Sequence, residues 1–189
     1  MSECKKKLIK TGRVVFELGL IGSHSGNLSC RKGDDIFITA TGSMLGWLED
    51  EQIVSFNIND KIPPEKVSSE YLTHIAIYKR TTYKYIIHAH PVFAVILSLK
   101  SNKIKPIDVE GRYYFSEIPV VNVKQAIGSQ ELAEKVSDKL SKDYNSIVVK
   151  GHGVFVATNS CEEAINLASV TESISKIIYY DMLIEKIDR

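Results

Sequence analysis

The segment that most constrains this chain is a short apolar run that ends in two histidines. Tyr85-Ile86-Ile87 leads directly into His88-Ala89-His90, and Pro91 follows. Side chains at positions i and i+2 of a β-strand point to the same face, so both imidazoles would project into one pocket. Proline cannot donate to a strand ladder and suits the first turn of a helix. We therefore predict a strand that presents half of a metal site at its end.

His152 is the candidate for a third metal ligand because it lies between two glycines. Gly151 and Gly153 allow the backbone to turn sharply and to approach another group closely. A catalytic zinc site commonly has three protein ligands and one open position. Taken alone, Gly-His-Gly is better explained as a tight turn, and an isolated His-x-His pair often has a structural role. Together the two motifs favour a metal site.

Glu70 is a candidate acid or base beside such a metal. It follows Ser68 and Ser69 at the predicted start of a helix, where free N–H groups and the helix dipole favour an anion. The alternative is that Glu70 only stabilises the first turn and that a serine caps the helix. Ser68 and Ser69, together with the loop pairs Gly26-Asn27 and Thr41-Gly42, also offer neutral donors to an oxyanion such as phosphate.

Helices and strands alternate along the chain. Apolar spacing predicts helices over residues 3–20, 68–80, 92–99 and 129–140 and from Ser160 onward, and strands over residues 36–39, 53–58, 85–90, 118–123, 146–150 and 154–158. The turn signal Lys32-Gly33-Asp34-Asp35 predicts a hairpin. We expect one α/β domain over residues 1–189, with a mixed or antiparallel sheet.

Composition excludes several classes of function. The formal net charge is +1, which gives no electrostatic reason to expect nucleic acid or a membrane surface as a partner. No apolar run approaches the roughly 20 residues that span a bilayer, and no signal peptide precedes the first helix, so a cytoplasmic protein is expected. The three cysteines Cys4, Cys30 and Cys161 show no C-x-x-C spacing, and we expect them to be reduced.

Five motifs in order resemble the class II aldolase and adducin family, and within it the fuculose-phosphate aldolases. They cover roughly residues 5–175 and are Ser25-Gly26-Asn27-Leu28-Ser29, Thr39-Ala40-Thr41-Gly42, Ser68-Ser69-Glu70, His88-Ala89-His90 and Gly151-His152-Gly153. The resemblance implies a three-layer α/β/α fold with a central mixed, largely antiparallel sheet. It also implies a cytoplasmic homotetramer with active sites at subunit interfaces. The implied activity is a zinc-dependent lyase that reversibly cleaves a ketose 1-phosphate, similar to L-fuculose 1-phosphate, into dihydroxyacetone phosphate and an aldehyde.

The resemblance also implies a role for each matched position. His88, His90 and His152 correspond to the ligands of one Zn²⁺ per subunit. Glu70 corresponds to the catalytic acid/base, which also approaches the metal when substrate is absent. The implied phosphate-binding residues are Asn27, Thr41, Gly42, Ser68 and Ser69.

The chain departs from the family pattern at several positions. The tyrosine that donates a proton on the aldehyde side aligns near Val109, which cannot donate, and Tyr113 and Tyr114 are the nearby candidates. His24 stands where the family has a small residue beside the phosphate loop. We expect His74 to be a helix residue packed beneath the site rather than a ligand.

Three alternatives share the fold. Sugar-phosphate 4-epimerases typically have aspartate where this chain has Glu70, which makes them a weaker match. A methylthioribulose-1-phosphate dehydratase also uses three histidines and a glutamate, so only substrate profiling separates it. An adducin-like interaction module lacks the histidine ligands, whereas this chain has His88, His90 and His152.

Overall fold

An eight-stranded sheet runs through the middle of the structure, a computed structural model that describes residues 2–142 and 144–187. Its strands are β1 (Asn27–Lys32), β2 (Asp35–Thr39), β3 (Ile53–Asn57), β4 (Tyr85–Ala89), β5 (Lys103–Ile104), β6 (Ile118–Val121), β7 (Ser146–Val149) and β8 (Gly153–Thr158). In space they follow the order β3-β2-β1-β4-β8-β7-β6-β5. Neighbouring strands are antiparallel except β6 and β7, which are parallel. The predicted mixed, largely antiparallel sheet is confirmed.

Helices cover both faces of this sheet. They are α1 (Glu3–Glu17), α2 (Tyr71–Arg80), α3 (Val92–Ser98), α4 (Val109–Tyr114), α5 (Gln130–Leu140) and α6 (Cys161–Ile187). Apolar residues of α1, α3 and α6 form one buried cluster with the sheet, and those of α2 and α5 form a second. The short helix α4 contacts α6. The result is the predicted three-layer α/β/α architecture, with a core on each side of the sheet.

Two helix ends differ from the expected boundaries for local reasons. Helix α1 ends at Glu17 because Gly19 takes a left-handed conformation (φ +69°) and the N–H of Leu20 bonds to the carbonyl of Val15. This is the Schellman arrangement that commonly ends helices at glycine. At the start of α2 the cap position is occupied by Glu70, not by a serine, and the Ser68 hydroxyl instead accepts the N–H of Glu70.

Two of the three cysteines are oxidised in the structure, contrary to expectation. Cys4 on α1 and Cys30 on β1 form a disulfide with their Cα atoms 5.7 Å apart, whereas Cys161 is free and buried. The expectation that all three are reduced is therefore wrong for Cys4 and Cys30. Their separation of 26 residues shows no recognisable spacing, and only the packing of α1 onto β1 brings them together.

The described part of the chain has no helix that is both long enough and apolar enough to cross a membrane. Helix α6, the longest at 27 residues, carries acidic and basic side chains along its length.

Candidate active site

Three histidines meet at one edge of the sheet. His88 lies on β4 and His90 just after it, while His152 lies in the turn between β7 and β8. Because β4 pairs with β8, the end of the His-x-His segment comes next to this turn. The ring centroids are 4.7 Å apart for His88 and His90, 4.8 Å for His88 and His152, and 4.9 Å for His90 and His152. One nitrogen from each ring can be chosen so that all three lie within 4.8 Å of one another.

Glycine at position 153 makes this close approach possible. A Cβ atom there would lie 2.7 Å from His90 Cδ2 and still closer to the carbonyl oxygen of Ala89. Gly151 has φ +68°, and the N–H of His152 bonds to the carbonyl of Val149. Gly-His-Gly therefore forms the tight turn that its sequence predicts, and the same turn brings the imidazole of His152 to the other two.

Burial keeps the three histidine rings neutral. The Nε2 atom of His88 points at the ring of His90. His88 Nδ1 donates to the carbonyl of Val154 at 2.9 Å, so His88 Nε2 carries the lone pair, 3.0 Å from His90 Nε2. Burial lowers the pKa of His88 and His152, and lowers the pKa of His90 to about 4. Repulsion from His90 and His152, which acts when the rings are protonated, lowers the pKa of His88 further. Neutral imidazoles are the form that binds metal ions.

The donor set fits a divalent transition-metal ion. His152 Nδ1 is buried and lacks a partner in the described part of the chain, and such an atom needs an explanation. The backbone bond from His88 is the kind of outer-shell contact that fixes the tautomer of a metal-binding histidine. Imidazole ligands suit zinc, copper, iron and nickel.

Glu70 is a buried carboxyl beside the histidines. Only 2% of its surface is exposed, and one oxygen, Oε2, accepts the hydroxyl of Thr73 at 3.3 Å. The other, Oε1, has no partner among residues 2–142 and 144–187. Burial raises the pKa of Glu70, and the N–H of Gly128 and the hydroxyl of Thr73 oppose the shift. Its side chain does not cap helix α2, and the group of three ligand atoms does not include it.

A cavity of about 210 Å³ joins these groups to the predicted phosphate loops. It is lined by the three histidines, by Glu70 and by all five predicted phosphate-binding residues, Asn27, Thr41, Gly42, Ser68 and Ser69. Asn27 reaches the histidines because β1 pairs with β4, which sets Asn27 opposite His88.

Glycines with positive φ shape the loops around this cavity. Gly26 (φ +80°) packs so closely that a Cβ there would lie 2.6 Å from the carbonyl oxygen of His88. At Gly128 (φ +60°) a Cβ would lie 2.8 Å from the carbonyl oxygen of Ser69, and the backbone N–H of Gly128 lowers the pKa of Glu70. No motif in the sequence points to Gly128 or to the neighbouring Ile127, which also lines the cavity. The only hint in the sequence is that Gly128 directly precedes Ser129, a serine that can cap a helix.

The other two histidines, His24 and His74, lie in different places. His24 lines the cavity and its Nδ1 donates to the carbonyl of Gly42 at 3.0 Å. His74 is completely buried on α2 and contacts Asn27 from behind. His74 lies outside the group of nitrogens that could hold a metal ion, as expected for a helix residue beneath the site.

Tyr113 and Tyr114 do not reach the histidine cavity of their own chain. They line a separate cavity of about 380 Å³ together with Glu117 and Tyr144. Tyr113 is 84% exposed, so its hydroxyl is accessible to another molecule.

A larger groove of about 870 Å³ lies at the opposite end of β1 and β4, around Arg31, Lys32 and Tyr85. Its size does not make it the functional site. The guanidinium of Arg31 already donates hydrogen bonds to backbone carbonyls. The ammonium of Lys7 donates to the Tyr85 hydroxyl and forms an ion pair with Glu3.

Comparison with known proteins gives consistent matches along nearly the whole chain. The sequence-family model of the class II aldolase and adducin N-terminal domain matches residues 6–179 of this chain. A Methanocaldococcus jannaschii protein named L-fuculose phosphate aldolase is 31% identical over 183 residues, covering 96% of this chain and 99% of the relative. An Escherichia coli O45:K1 protein named 5-methylthioribulose-1-phosphate/5-deoxyribulose-1-phosphate aldolase is 31% identical over 180 residues, covering 91% of this chain and 81% of the relative.

The fold comparison agrees. The crystal structure of L-fuculose-1-phosphate aldolase from Thermus thermophilus superposes with a TM-score of 0.91 at 29% identity. The match covers 96% of this chain and 95% of that one.

Proposed function

Because this chain belongs to the class II aldolase and adducin family and is a lyase, we propose that it is a zinc-dependent ketose 1-phosphate aldolase. The reaction is the reversible cleavage of an L-fuculose 1-phosphate-like sugar into dihydroxyacetone phosphate and an aldehyde. One observation carries the proposal. A single cavity joins three neutral imidazoles, a buried carboxyl and several uncharged hydrogen-bond donors.

His88, His90 and His152 would hold one Zn²⁺ per subunit. Three neutral imidazoles add no negative charge, which suits a site that must accept negative charge from the substrate. When bound, Zn²⁺ supplies Lewis-acid stabilisation of the charge that develops on substrate oxygens during carbon–carbon cleavage.

Glu70 would move a proton to and from the substrate carbon next to the carbonyl. A general base works best when its pKa lies near the working pH, and burial shifts the pKa of Glu70 in that direction. Oε1 has no protein partner among the described residues, so it is free to take the proton. Thr73 holds the second oxygen and so limits rotation of the carboxyl group.

The phosphate would be held by neutral donors rather than by lysine or arginine. Three separate segments, the start of β1 and two loops, supply Asn27, Thr41, Gly42, Ser68 and Ser69 to one cavity, which supports their common role. Fixing the phosphate would set the register of the sugar so that the scissile bond lies beside Glu70 and the histidines. A near-neutral chain is compatible with such a site.

We propose a homotetramer in which the active site is completed by a neighbouring subunit. Tyr113 and Tyr114 are the proposed proton donors on the aldehyde side, and both lie outside the histidine cavity of their own chain. A tyrosine from one subunit would then serve the metal site of the next. Because the substrate is a phosphorylated metabolite, we place the enzyme in the cytoplasm, with no membrane or nucleic acid as partner.

A second candidate substrate is 5-methylthioribulose 1-phosphate. The Escherichia coli O45:K1 relative named for this substrate has the same 31% identity to the chain as the M. jannaschii relative, over 81% of its own length rather than 99%. Both candidates are ketose 1-phosphates that release dihydroxyacetone phosphate. They differ only in the aldehyde half.

The decisive experiment is a substrate panel with zinc-loaded protein. L-fuculose 1-phosphate, 5-methylthioribulose 1-phosphate and 5-deoxyribulose 1-phosphate are compared by the release of dihydroxyacetone phosphate. The unphosphorylated sugars and a His152→Ala variant with its zinc content measured are the controls. Dihydroxyacetone phosphate from none of the phosphorylated sugars, with epimerised or dehydrated product instead, would replace the aldolase proposal with one of the alternatives.

A further inference from the structure

A buried chain of four polar side chains lies behind the phosphate cavity. Asn27 and Ser29 share one face of β1 because they are two residues apart. His74 and Tyr78 share one face of α2 because they are four residues apart. His74 Nε2 is 2.6 Å from Asn27 Oδ1, His74 Nδ1 is 2.6 Å from Ser29 Oγ, and Ser29 Oγ is 2.7 Å from the Tyr78 hydroxyl.

The chemistry of these groups gives the hydrogen bonds one direction. Burial lowers the pKa of His74 to about 3, so the ring is neutral and has one N–H and one lone pair. Asn27 Oδ1 can only accept, and His74 Nε2 must therefore carry the hydrogen. His74 Nδ1 then accepts the Ser29 hydroxyl. The single hydrogen of the Tyr78 hydroxyl is assigned to Ser29 Oγ, at 2.7 Å, in preference to the carbonyl of Lys84, at 3.4 Å. The hydrogens on His74 Nε2, Ser29 Oγ and the Tyr78 hydroxyl each have an acceptor.

This direction decides which end of the Asn27 amide faces the cavity. The amide oxygen is engaged by His74 on the buried side, so the two N–H groups remain for the cavity that Asn27 lines. A rotated amide would turn its oxygen toward an anionic phosphate and leave two donors facing the imidazole. Asn27 also lies opposite His88 on the neighbouring strand, so the oriented amide is next to the histidine cluster.

We propose that His74 is a positioning residue that holds the Asn27 amide with its N–H groups toward the substrate phosphate. The proposal rests on the proposed function, because that function assigns Asn27 to the phosphate. His74 touches neither phosphate nor metal in this role. Ser29 and Tyr78 complete the hydrogen-bond chain on the buried side of His74, so the residues that hold the amide lie outside the cavity lining.

The first test reads the tautomer directly, without any ligand chemistry. Nitrogen-15 NMR of zinc-loaded protein distinguishes an imidazole with its hydrogen on Nε2 from one with its hydrogen on Nδ1, and the His74→Gln variant assigns the signal. We expect the Nε2–H form at pH 7, with no titration down to pH 5. The Nδ1–H form, or a ring that protonates above pH 5, would overturn the proposal.

The second test measures binding of inorganic phosphate to zinc-loaded protein by titration calorimetry. His74→Gln keeps a donor near the position of Nε2, whereas His74→Asn removes it. We expect His74→Asn to weaken phosphate binding by about 10- to 100-fold, the loss of one hydrogen bond to a charged group, and His74→Gln to recover most of the affinity. For the sugar phosphate, the effect should fall on KM rather than on kcat.

Two controls separate positioning from a general loss of structure. In an Asn27→Ala background, His74→Asn should have no further effect on phosphate affinity, because the amide that it orients is gone. Ile77→Val, buried on the same helix, should lower stability and leave phosphate affinity unchanged.

The failures of the two proposals can be told apart. If wild-type protein binds phosphate and His74→Asn binds it equally well, the positioning role is wrong and the proposed function stands. If zinc-loaded wild-type protein binds neither inorganic phosphate nor a sugar phosphate, the phosphate cavity is wrong, and this inference falls with it.

Discussion

Glu70 has one oxygen held by Thr73 and one without a partner among the described residues, buried within the histidine cavity. A carboxyl that served only the start of α2 would instead bond to the first N–H groups of the helix, and the side chain of Glu70 makes no such bond. Its geometry therefore fits proton transfer better than capping.

The first prediction follows at the scale of this residue. Glu70→Gln keeps shape and hydrogen bonding but cannot carry the proton, so kcat should fall by about 10²- to 10⁴-fold. The free energy of unfolding should change by only about a few tenths of a kcal/mol, on the scale of a helix-dipole contact. The measurement is kcat at confirmed full zinc occupancy. Turnover close to wild type would remove Glu70 from the chemistry.

A second prediction concerns the pH dependence of stability. The unfolded chain protonates His74 below about pH 6.5, whereas the low pKa in the folded chain, about 3, resists protonation. The unfolded state thus binds more protons in this window, and the free energy of unfolding falls as pH falls, by at most about 1.4 kcal/mol per pH unit for this group. His74→Gln should flatten that slope.

The measurement is urea unfolding of both proteins at pH 7 and pH 5, at the same zinc concentration. Taking the difference between the two proteins cancels the contributions of the other histidines. Parallel slopes would mean that His74 is already protonated in the folded protein at pH 5.

At the scale of the element, the turn from β7 to β8 limits how close the histidines can come. Replacing Gly153 with alanine puts a methyl group against His90 and the backbone of Ala89. We expect this overpacking to cost about 1–3 kcal/mol of stability and to weaken zinc binding at least about tenfold, because the imidazoles move apart.

Gly33→Ala is the matched control for this third prediction. Gly33 lies in the hairpin at the other end of the sheet, where φ is +62° and no atom lies within 4 Å of a new Cβ. That variant should lose stability through backbone strain and keep its zinc affinity. Equal zinc affinity in Gly153→Ala and wild type, measured by competition with a chelator, would contradict the steric role of Gly153.

Elements with a clear apolar period can be predicted from the sequence. The spacing predicts a helix over residues 129–140, and α5 occupies Gln130–Leu140 because Leu132, Val136 and Leu140 form one buried stripe. The short helix α4 has no such stripe, and the sequence does not predict it. Its start is held by the side chain of Asp108.

Some residues of the candidate site can likewise be predicted from local sequence motifs, and others cannot. Residues in recognisable local motifs, such as His88 and His152, can be proposed from sequence because their spacing suggests their chemistry. The hydrogen bond from His74 to Asn27 depends on how α2 packs over β1, and the Cys4–Cys30 disulfide depends on how α1 packs on the same strand. Contacts of this kind arise from tertiary packing, which no local pattern encodes.

At the scale of the whole molecule, many of the exposed apolar side chains gather in two regions. Near the end of α6 lie Tyr180, Met182, Leu183 and Ile184, and on α4 lie Val109 and Tyr113. Exposed apolar patches of this kind mark protein interfaces. They support the proposed homotetramer.

The fourth prediction tests whether the site is shared between subunits. Light scattering should give a mass of about four chains, and a double Tyr113→Phe, Tyr114→Phe variant should lose activity while keeping zinc and mass. Refolded mixtures of that variant with Glu70→Gln should regain activity, because some sites then combine an intact glutamate with an intact tyrosine. Absence of any recovery in verified mixed oligomers would place both groups in the same chain.

The pairing of β4 with β8 has a consequence for how the protein is made. His88 and His90 leave the ribosome well before His152, and β8 must insert between β4 and β7 before the three rings can meet. Such long-range pairing forms late because the intervening loop must close first. A nascent chain therefore displays an incomplete pair of imidazoles, and tight metal capture follows completion of the sheet. In this protein, metal binding would thus follow the completion of folding and would not initiate it.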